Sequence, residues 1–262
     1  MLELNKIHQG DCLELMKEIP DKSIDLTLTS PPYDNLRDYN GYTFDFENIA
    51  KELYRITKDG GVVVWIVADA TIKGSETGTS FKQALYFKDI GFNLHDTMIY
   101  QKNCYPFPPS NRYFGVFEYM FVFSKGSPRT FNLIRVSTVG KKHTTSNSRQ
   151  KDGSLKQMEY EMGKDTRIAD NIWKMNVGHG KSSLDKISFE HPATFPEKLA
   201  NDHIISWSNK GDTVFDPFMG SGTTAKMAII NERNYIGTEI SQEYCEIARQ
   251  RIADTLAQPK LI

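Results

Sequence analysis

The chain has 262 residues, a net charge of −1, 39% apolar and 25% charged residues, an ordinary globular composition that excludes a long disordered or fibrous protein. No apolar run approaches the roughly 20 residues a membrane span needs, Met1–Asp11 lacks the charged-then-apolar layout of a secretory leader, and the few, scattered cysteines suit a reducing compartment, so a cytoplasmic protein is expected. Cys12, Cys104 and Cys245 are too few and too scattered for a disulfide framework, and neither they nor the six histidines show metal-ligand spacing, so no structural zinc is expected.

Taken in order, the first half alternates strand-like and helix-like stretches. Asn5–Asp11 is a short strand candidate, and Cys12–Ile19 has helical spacing with Leu13 and Met16 or Ile19 on one face. Ser23–Ser30, "SIDLTLTS", reads as a strand. Phe46–Thr57 places Ile49, Leu53 and Ile56 on one helical face, with Lys58-Asp59-Gly60-Gly61 expected to end that helix. Gly61–Ala68 is a continuous, β-branched apolar run, the pattern of a strand covered on both faces. A helix over Phe81–Gly91 and two strands over Phe92–Lys102 and Phe114–Lys125 complete the half.

Asn132–Lys186 breaks this rhythm with a polar, weakly periodic stretch, read as either a disordered insertion or a recognition lobe, with a short element around Ile172 and Trp173. Lys125–Lys186 carries 13 Lys or Arg against 6 Asp or Glu, a local net of +7 that leaves −8 for the remainder. A basic segment on an acidic body suggests a polyanionic partner for that segment. Order then returns: a helix opened by Pro196, a strand at Asp212–Phe218, a helix from Gly222, a strand at Asn234–Ile240, and a final helix capped by Ser241. This βαβαβ pattern predicts an α/β fold with a mostly parallel sheet.

Two stretches carry chemistry. Ser30-Pro31-Pro32-Tyr33 ends a core strand with two prolines, which cannot continue the sheet and form a stiff corner beside an aromatic ring. The second, "VFDPFMGSGTT", sets Gly220 and Gly222 between a strand and a helix. No lysine precedes Thr223 as a phosphate-binding loop requires, and Ala225 stands where a dinucleotide fingerprint has its third glycine, a substitution that fingerprint tolerates. Asp216 at the strand end could hold a ligand's ammonium, and Glu239, 19 residues after Gly220, could accept hydrogen bonds from ribose hydroxyls. S-adenosylmethionine carries both groups and needs no phosphate cradle.

With both stretches in view, the sequence resembles the amino-methyltransferases of DNA over nearly its whole length. Their catalytic motif is Ser/Asn/Asp-Pro-Pro-Tyr/Phe and their cofactor loop Phe-x-Gly-x-Gly. The motif order, with the basic segment between, resembles the β class of that family. The resemblance implies a Rossmann-like S-adenosylmethionine methyltransferase fold with a seven-stranded sheet, divided into a catalytic half (1–131), a target-recognition insertion (132–186) and a cofactor-binding half (187–262). It implies that Asp11 faces the cofactor's adenine, that Thr194, Phe195 and Pro196 line the methionine pocket, and that Phe218, Gly220, Ser221, Gly222 and Thr223 form the cofactor loop.

At the catalytic motif, Ser30 Oγ and the Pro31 carbonyl would accept both hydrogens of an exocyclic base amine, pulling its nitrogen toward tetrahedral geometry. Pro32 would stiffen the corner and Tyr33 would stack on a base flipped out of duplex DNA. Methyl transfer is then a single in-line displacement. Cytosine-C5 chemistry is disfavoured because no cysteine follows a proline. Serine at the first motif position resembles the form common among the family's cytosine-N4 members, whereas aspartate is usual among its adenine-N6 members, so the resemblance favours cytosine-N4 over adenine-N6. Rival readings are a non-catalytic DNA-binding partner and methylation of RNA or of a protein glutamine. Charge clustering nominates Lys141, Lys142, Arg149, Lys151, Lys156 and Lys164 as phosphate contacts, with Arg112 in a proline-rich loop facing DNA. The class also brings homodimers and cognate restriction endonucleases as partner types, within restriction-modification.

Overall fold

The computed structural model describes residues 1–32, 44–103, 111–113, 115–137, 144–160, 166–176, 178, 183, 185 and 196–257. They form two compact units, one of Met1–Asn132 with Asn171–Ile262, the other of Leu133–Asp170. No helix among them is long and apolar enough to cross a membrane.

The larger unit is built on a sheet of eight strands: β1 (Lys6–Gln9), β2 (Ile24–Thr29), β3 (Thr57–Val67), β6 (Asn93–Lys102), β7 (Phe117–Ser124), β12 (Ile172–Met175), β13 (Thr213–Asp216) and β14 (Asn234–Glu239). Their order across the sheet is β1-β14-β13-β2-β3-β7-β6-β12. Neighbours are parallel except for β3 with β7 and β7 with β6. The sheet is therefore mostly parallel, as expected. The eighth strand is β12, drawn from the stretch assigned to the insertion and paired with β6 from Ile172↔Ile99 to Met175↔Lys102.

Alternation along the central strands divides the core into two layers. Val62, Val64 and Ile66 face one layer with Leu199, Ala200 and Ile204 of α4 (Glu197–Trp207), Ala225 and Ala228 of α5 (Thr223–Ile230), and Ala248 and Ile252 of α6 (Gln242–Ala257). Val63, Trp65 and Val67 face the other, with Met16 of α1 (Cys12–Met16), Ile49, Leu53 and Ile56 of α2 (Phe46–Ile56), and Phe87 of α3 (Thr79–Asp89). The α2 stripe is the predicted one.

The helix end differs from expectation. Lys58–Gly61 lies inside β3 and does not terminate α2; the helix stops at Ile56 because Thr57 turns extended (φ −69°, ψ 130°) while its hydroxyl donates to the Leu53 carbonyl at 2.6 Å. Gly60 (φ +81°) then takes the sharp backbone step and donates to the Lys125 carbonyl at 2.6 Å. Gly91, the last residue of the expected Phe81–Gly91 helix, follows α3 at φ +113°, and Phe92 N–H donates back to the Phe87 carbonyl at 3.0 Å. A small hairpin, β4 (Thr71–Ile72) with β5 (Ser75–Glu76), had no sequence signal.

The smaller unit contains two antiparallel pairs, β8 (Arg135–Ser137) with β11 (Thr166–Ile168) and β9 (Thr144–Arg149) with β10 (Leu155–Tyr160). Within the described residues, this part of the expected insertion is β-structured.

Candidate active site

The sheet order places a topological switch between β13 and β2. From β13 the chain proceeds to β14 on one side, and from β2 to β3 on the other. Open α/β sheets hold ligands in the crevice outside the carboxyl ends of such strands. The two chemical stretches meet there: β13 ends at Asp216, directly before the glycine loop, and β2 ends at Thr29, directly before Ser30.

The strand ends are joined by side chains. Thr29 Oγ1 donates to Asp216 Oδ1 at 2.6 Å, Thr224 Oγ1 donates to Asp216 Oδ2 at 2.7 Å, and Phe218 N–H donates to Oδ1 at 3.0 Å. Asp216 is 1% exposed. Burial pushes its carboxyl up to about 6, against the pull of those three donors. The residue nominated to hold an ammonium is thus turned into the protein, where it ties β2, β13 and the start of α5 together.

The glycine loop is held on several sides. Gly220 (φ +51°) donates its amide to Glu239 Oε2 at 2.8 Å, and Met219 N–H donates to the Thr238 carbonyl at 2.9 Å. Gly222 (φ +83°) precedes α5 without a side-chain cap, and a Cβ there would lie 3.0 Å from Ala248 Cβ. Left-handed backbone and close approach to α6 both demand glycine. Beneath the loop, Arg251 of α6 is fully buried and donates to the Ser221 carbonyl at 2.6 Å, Ser221 Oγ at 3.0 Å and Thr223 Oγ1 at 3.3 Å. Its charge is balanced by Asp185 (3.0 Å) and Glu197 (2.9 Å), which also meet Lys226 at 2.7 and 2.9 Å. Ser221 and Thr223 therefore present their hydroxyls to Arg251. Nothing in the sequence marked Arg251, since an arginine in a helical repeat reads as a surface residue.

The other acids follow the same edge. Gln9 of β1 pairs with Glu239 of β14, and Gly10 N–H donates to the Glu239 carbonyl at 2.9 Å. This sets Asp11 beyond the adjacent strand end, where it caps α1 by accepting Leu13 N–H at 2.8 Å and Glu14 N–H at 3.3 Å, its side chain exposed. Glu239 accepts Ser241 N–H at 2.9 Å besides Gly220, and burial raises its carboxyl above the usual range. Along the adjacent strands β1, β14, β13 and β2, Asp11 lies two residues beyond the end of β1, Glu239 and Asp216 end β14 and β13, and the Thr29-Ser30 corner closes β2. Pro31 is buried, with Ser30 and Pro32 half-buried.

Phe218 packs edge-on to Phe44 at 5.7 Å, and both lie within 6.5 Å of the buried Trp65 ring. Pro196 is buried as the N-cap residue of α4, one position earlier than a first-turn proline. Tyr33, Thr194, Phe195, Lys141, Lys142 and Lys164 lie outside the described residues. Arg112 is engaged by the β4–β5 hairpin, donating to Thr71 Oγ1 at 3.0 Å and the Gly74 carbonyl at 2.7 Å. Arg149, Lys151 and Lys156 are exposed in the smaller unit.

The carboxylate acceptors Asp11 and Glu239 suit an unphosphorylated ligand whose hydroxyl and amino groups donate. Carboxylates line the strand edge, and Lys226, the lysine nearest the loop in sequence, is directed to Asp185 and Glu197. A family model described as DNA methylase, covering the N6 and N4 amino-methyltransferases, matches residues 24–250. The chain belongs to that family.

As a DNA methylase of the N6/N4 class, it is 62% identical over 243 residues to the orphan methyltransferase M.BamHII of Bacillus amyloliquefaciens, covering 90% of this chain and 92% of that protein. It is 29% identical over 259 residues to the type II methyltransferase M.BglII of Bacillus subtilis, covering 94% and 68%. Among solved structures, the methylase resembles the cytosine-N4-specific PvuII DNA methyltransferase (TM-score 0.69, 22% identity, 98% of this chain and 87% of that one). It also resembles a DNA modification methylase of Thermus thermophilus complexed with S-adenosyl-L-methionine (TM-score 0.66, 22% identity, 97% and 95%). These likenesses establish the methyltransferase fold. S-adenosylmethionine is the cofactor of this family, and the carboxylate-lined strand edge fits it.

Proposed function

We propose that this methylase transfers a methyl group to the exocyclic N4 amine of a cytosine flipped out of duplex DNA. The observation that carries the reading is Ser30, the first residue of the Ser-Pro-Pro-Tyr corner, at the end of the strand beside the glycine loop. Ser30 Oγ and the Pro31 carbonyl accept the two amine hydrogens, drawing the nitrogen lone pair out of conjugation. Pro31 and Pro32 keep both acceptors in place, and Tyr33 stacks on the extruded base. Asp11 and Glu239 take the adenosine end of the cofactor, and Phe218 with Gly220–Thr223 shapes the floor beneath it. Thr194, Phe195 and Pro196 line the methionine end. When bound, S-adenosylmethionine supplies the methyl group on a positively charged sulfur.

The cytosine-N4 specificity of the PvuII enzyme supports the choice of base. The description of the 62% relative as an orphan supports a methylase acting without a companion restriction endonuclease. The test is incubation with S-adenosylmethionine and mixed-sequence duplex DNA, followed by nucleoside mass spectrometry. N4-methylcytosine is expected. N6-methyladenine overturns the base assignment, and the absence of any methylated base overturns the activity. Ser30→Ala should reduce turnover about 10²-fold or more, the scale of losing one preorganised polar group at a reacting centre.

A further inference from the structure

The smaller unit, Leu133–Asp170, carries eight Lys or Arg against five Asp or Glu, a net of +3 within a chain of net −1. Its inner pair is a hairpin with register Arg149↔Leu155, Ser148↔Lys156 and Asn147↔Gln157. The turn is closed by Gln150 N–H to the Ser154 carbonyl at 2.8 Å and Gly153 N–H to the Gln150 carbonyl at 3.0 Å, with Gly153 at φ +84°. Asp152 Oδ1 accepts both the Ser154 amide (2.9 Å) and its hydroxyl (2.7 Å). The outer pair continues the same sense: six residues separate Ser137 from Thr144 and five separate Tyr160 from Thr166, so the two registers differ by a single residue.

Directly opposed residues of an antiparallel pair share a face, and neighbours along a strand alternate. Asn147, Arg149, Leu155 and Gln157 therefore lie on one face, all exposed, while Ser148 and Lys156 lie on the other. That division is chemically uneven. Asn and Gln amides pair bidentately with adenine N6/N7, an Arg fork pairs with guanine O6/N7, and an apolar side chain meets the thymine methyl. Ser148 and Lys156 on the opposite face can also touch bases, but neither carries a planar two-point group, and lysine serves phosphate readily as a point charge. A two-stranded ribbon fits the B-DNA major groove, whereas the deep, narrow major groove of double-stranded RNA excludes it.

We propose that the Asn147–Arg149–Leu155–Gln157 face of this ribbon reads base edges in the major groove of the DNA substrate and determines which sequence is methylated, while Lys151 at the turn and Lys156 on the opposite face hold phosphates. Arg149 is thereby moved from the phosphate-contact group to the base-reading group. The inference rests on the reading of the chain as a methylase of duplex DNA.

The test compares the full-length chain with N147A/Q157A, R149A and K151A/K156A. Genomic DNA is methylated by each and the modified sites are mapped. Affinity for a duplex carrying the wild-type site is followed by fluorescence anisotropy against salt. N147A/Q157A and R149A should keep the wild-type Tm and salt slope but lose discrimination at one or two base pairs by about 5- to 100-fold, the range for one bidentate pair. K151A/K156A should methylate the wild-type sequence set while the salt slope falls by up to about 1.8, near 0.9 per phosphate. An unchanged recognition sequence in N147A/Q157A and R149A, or an equal loss at every sequence, overturns the assignment and leaves the methylase reading standing. Wild-type protein that methylates no duplex overturns both.

Discussion

Thr29 and Asp216 stand 187 residues apart in the chain, yet the hydroxyl of one lies 2.6 Å from the carboxylate of the other. This contact fastens the residue before Ser30 to the residue that opens the glycine loop. The proposed catalytic corner and the proposed cofactor loop therefore share one buried support, and a disturbance in either strand end reaches the other.

Removing the Thr29 hydroxyl tests that support. Thr29→Val keeps the volume but takes one of three donors from a buried carboxylate, which should cost about 1–3 kcal/mol. At the roughly 2–4 °C per kcal/mol expected for a chain of this size, Tm should fall by about 2–12 °C. Turnover should fall more than cofactor affinity, because the displaced group is Ser30. Calorimetry together with kcat and cofactor Kd decides it; a wild-type Tm would show that the contact carries no load.

Two buried titrating groups oppose each other between about pH 4 and 6. Asp216 is raised to about 6, so its contribution to stability is complete below its unfolded value of 3.8 and is lost as pH rises through 6. His203, fully buried against Trp173 (ring centroids 4.5 Å) and Met120 Sδ (3.3 Å), is pushed by burial down to about 3 from 6.5. Its contribution is complete above 6.5 and is lost as pH falls toward 3. Between pH 4 and 6 each slope reaches at most about 1.4 kcal/mol per pH unit, near pH 5, with opposite sign. Asp216→Asn should leave stability rising with pH across this window, and His203→Leu should leave it falling. Urea melts at pH 4, 5 and 6 check the pair, and identical slopes in both variants would refute the account.

Arg251 is a buried cation whose hydrogen bonds hold the loop at Ser221 and whose charge meets Asp185 and Glu197. Arg251→Met should destabilise by about 1–3 kcal/mol, because the buried Ser221 carbonyl loses its donor while Asp185 and Glu197 keep Lys226 alone. Arg251→Lys keeps the charge but not the fork, so it should recover part of the stability and little of the cofactor affinity. Thermal melts with and without S-adenosylmethionine separate these outcomes. Equal cofactor-induced shifts in wild type and Arg251→Lys would show that the loop does not depend on the fork.

Gly222 combines φ +83° with a Cβ position 3.0 Å from Ala248 Cβ. Gly222→Ala should therefore cost about 1–3 kcal/mol in backbone strain alone, and the loop should shift away from α6. Calorimetric titration with S-adenosylmethionine should show at least a tenfold weaker Kd. Unchanged binding would mean that the loop's shape is not set by this contact.

The parallel core was legible because its strands and helices each bury an apolar pattern: the run Val62–Val67 and the stripe Ile49, Leu53 and Ile56 announce their partners before any contact is known. The inner hairpin of Leu133–Asp170 was not legible. Asn147, Arg149, Leu155, Lys156 and Gln157 are all exposed, and strands without a buried face carry no alternation to read. The start of β3 was hidden for another reason. Lys58-Asp59-Gly60-Gly61 has the composition of a helix stop, and tertiary pairing, including Ile24↔Thr57, draws this stretch into the sheet. Arg251 was invisible because its burial depends on acids from two other segments.

Local chemistry alone determined the two motifs. Prolines after a buried strand must make a corner, and glycines between a strand and a helix must make a close turn, whatever surrounds them. Only the tertiary structure decided that the corner and the turn are neighbours. The order β14-β13-β2-β3 is a relation between segments nearly 200 residues apart, and the pairing of Val214 with Leu26 and Phe215 with Thr27 aligns their ends. It also decided which polar groups face inward: Asp216, Ser221 and Thr223 spend their hydrogen bonds on Thr29, Thr224 and Arg251, because a buried polar group must find its partner within the fold.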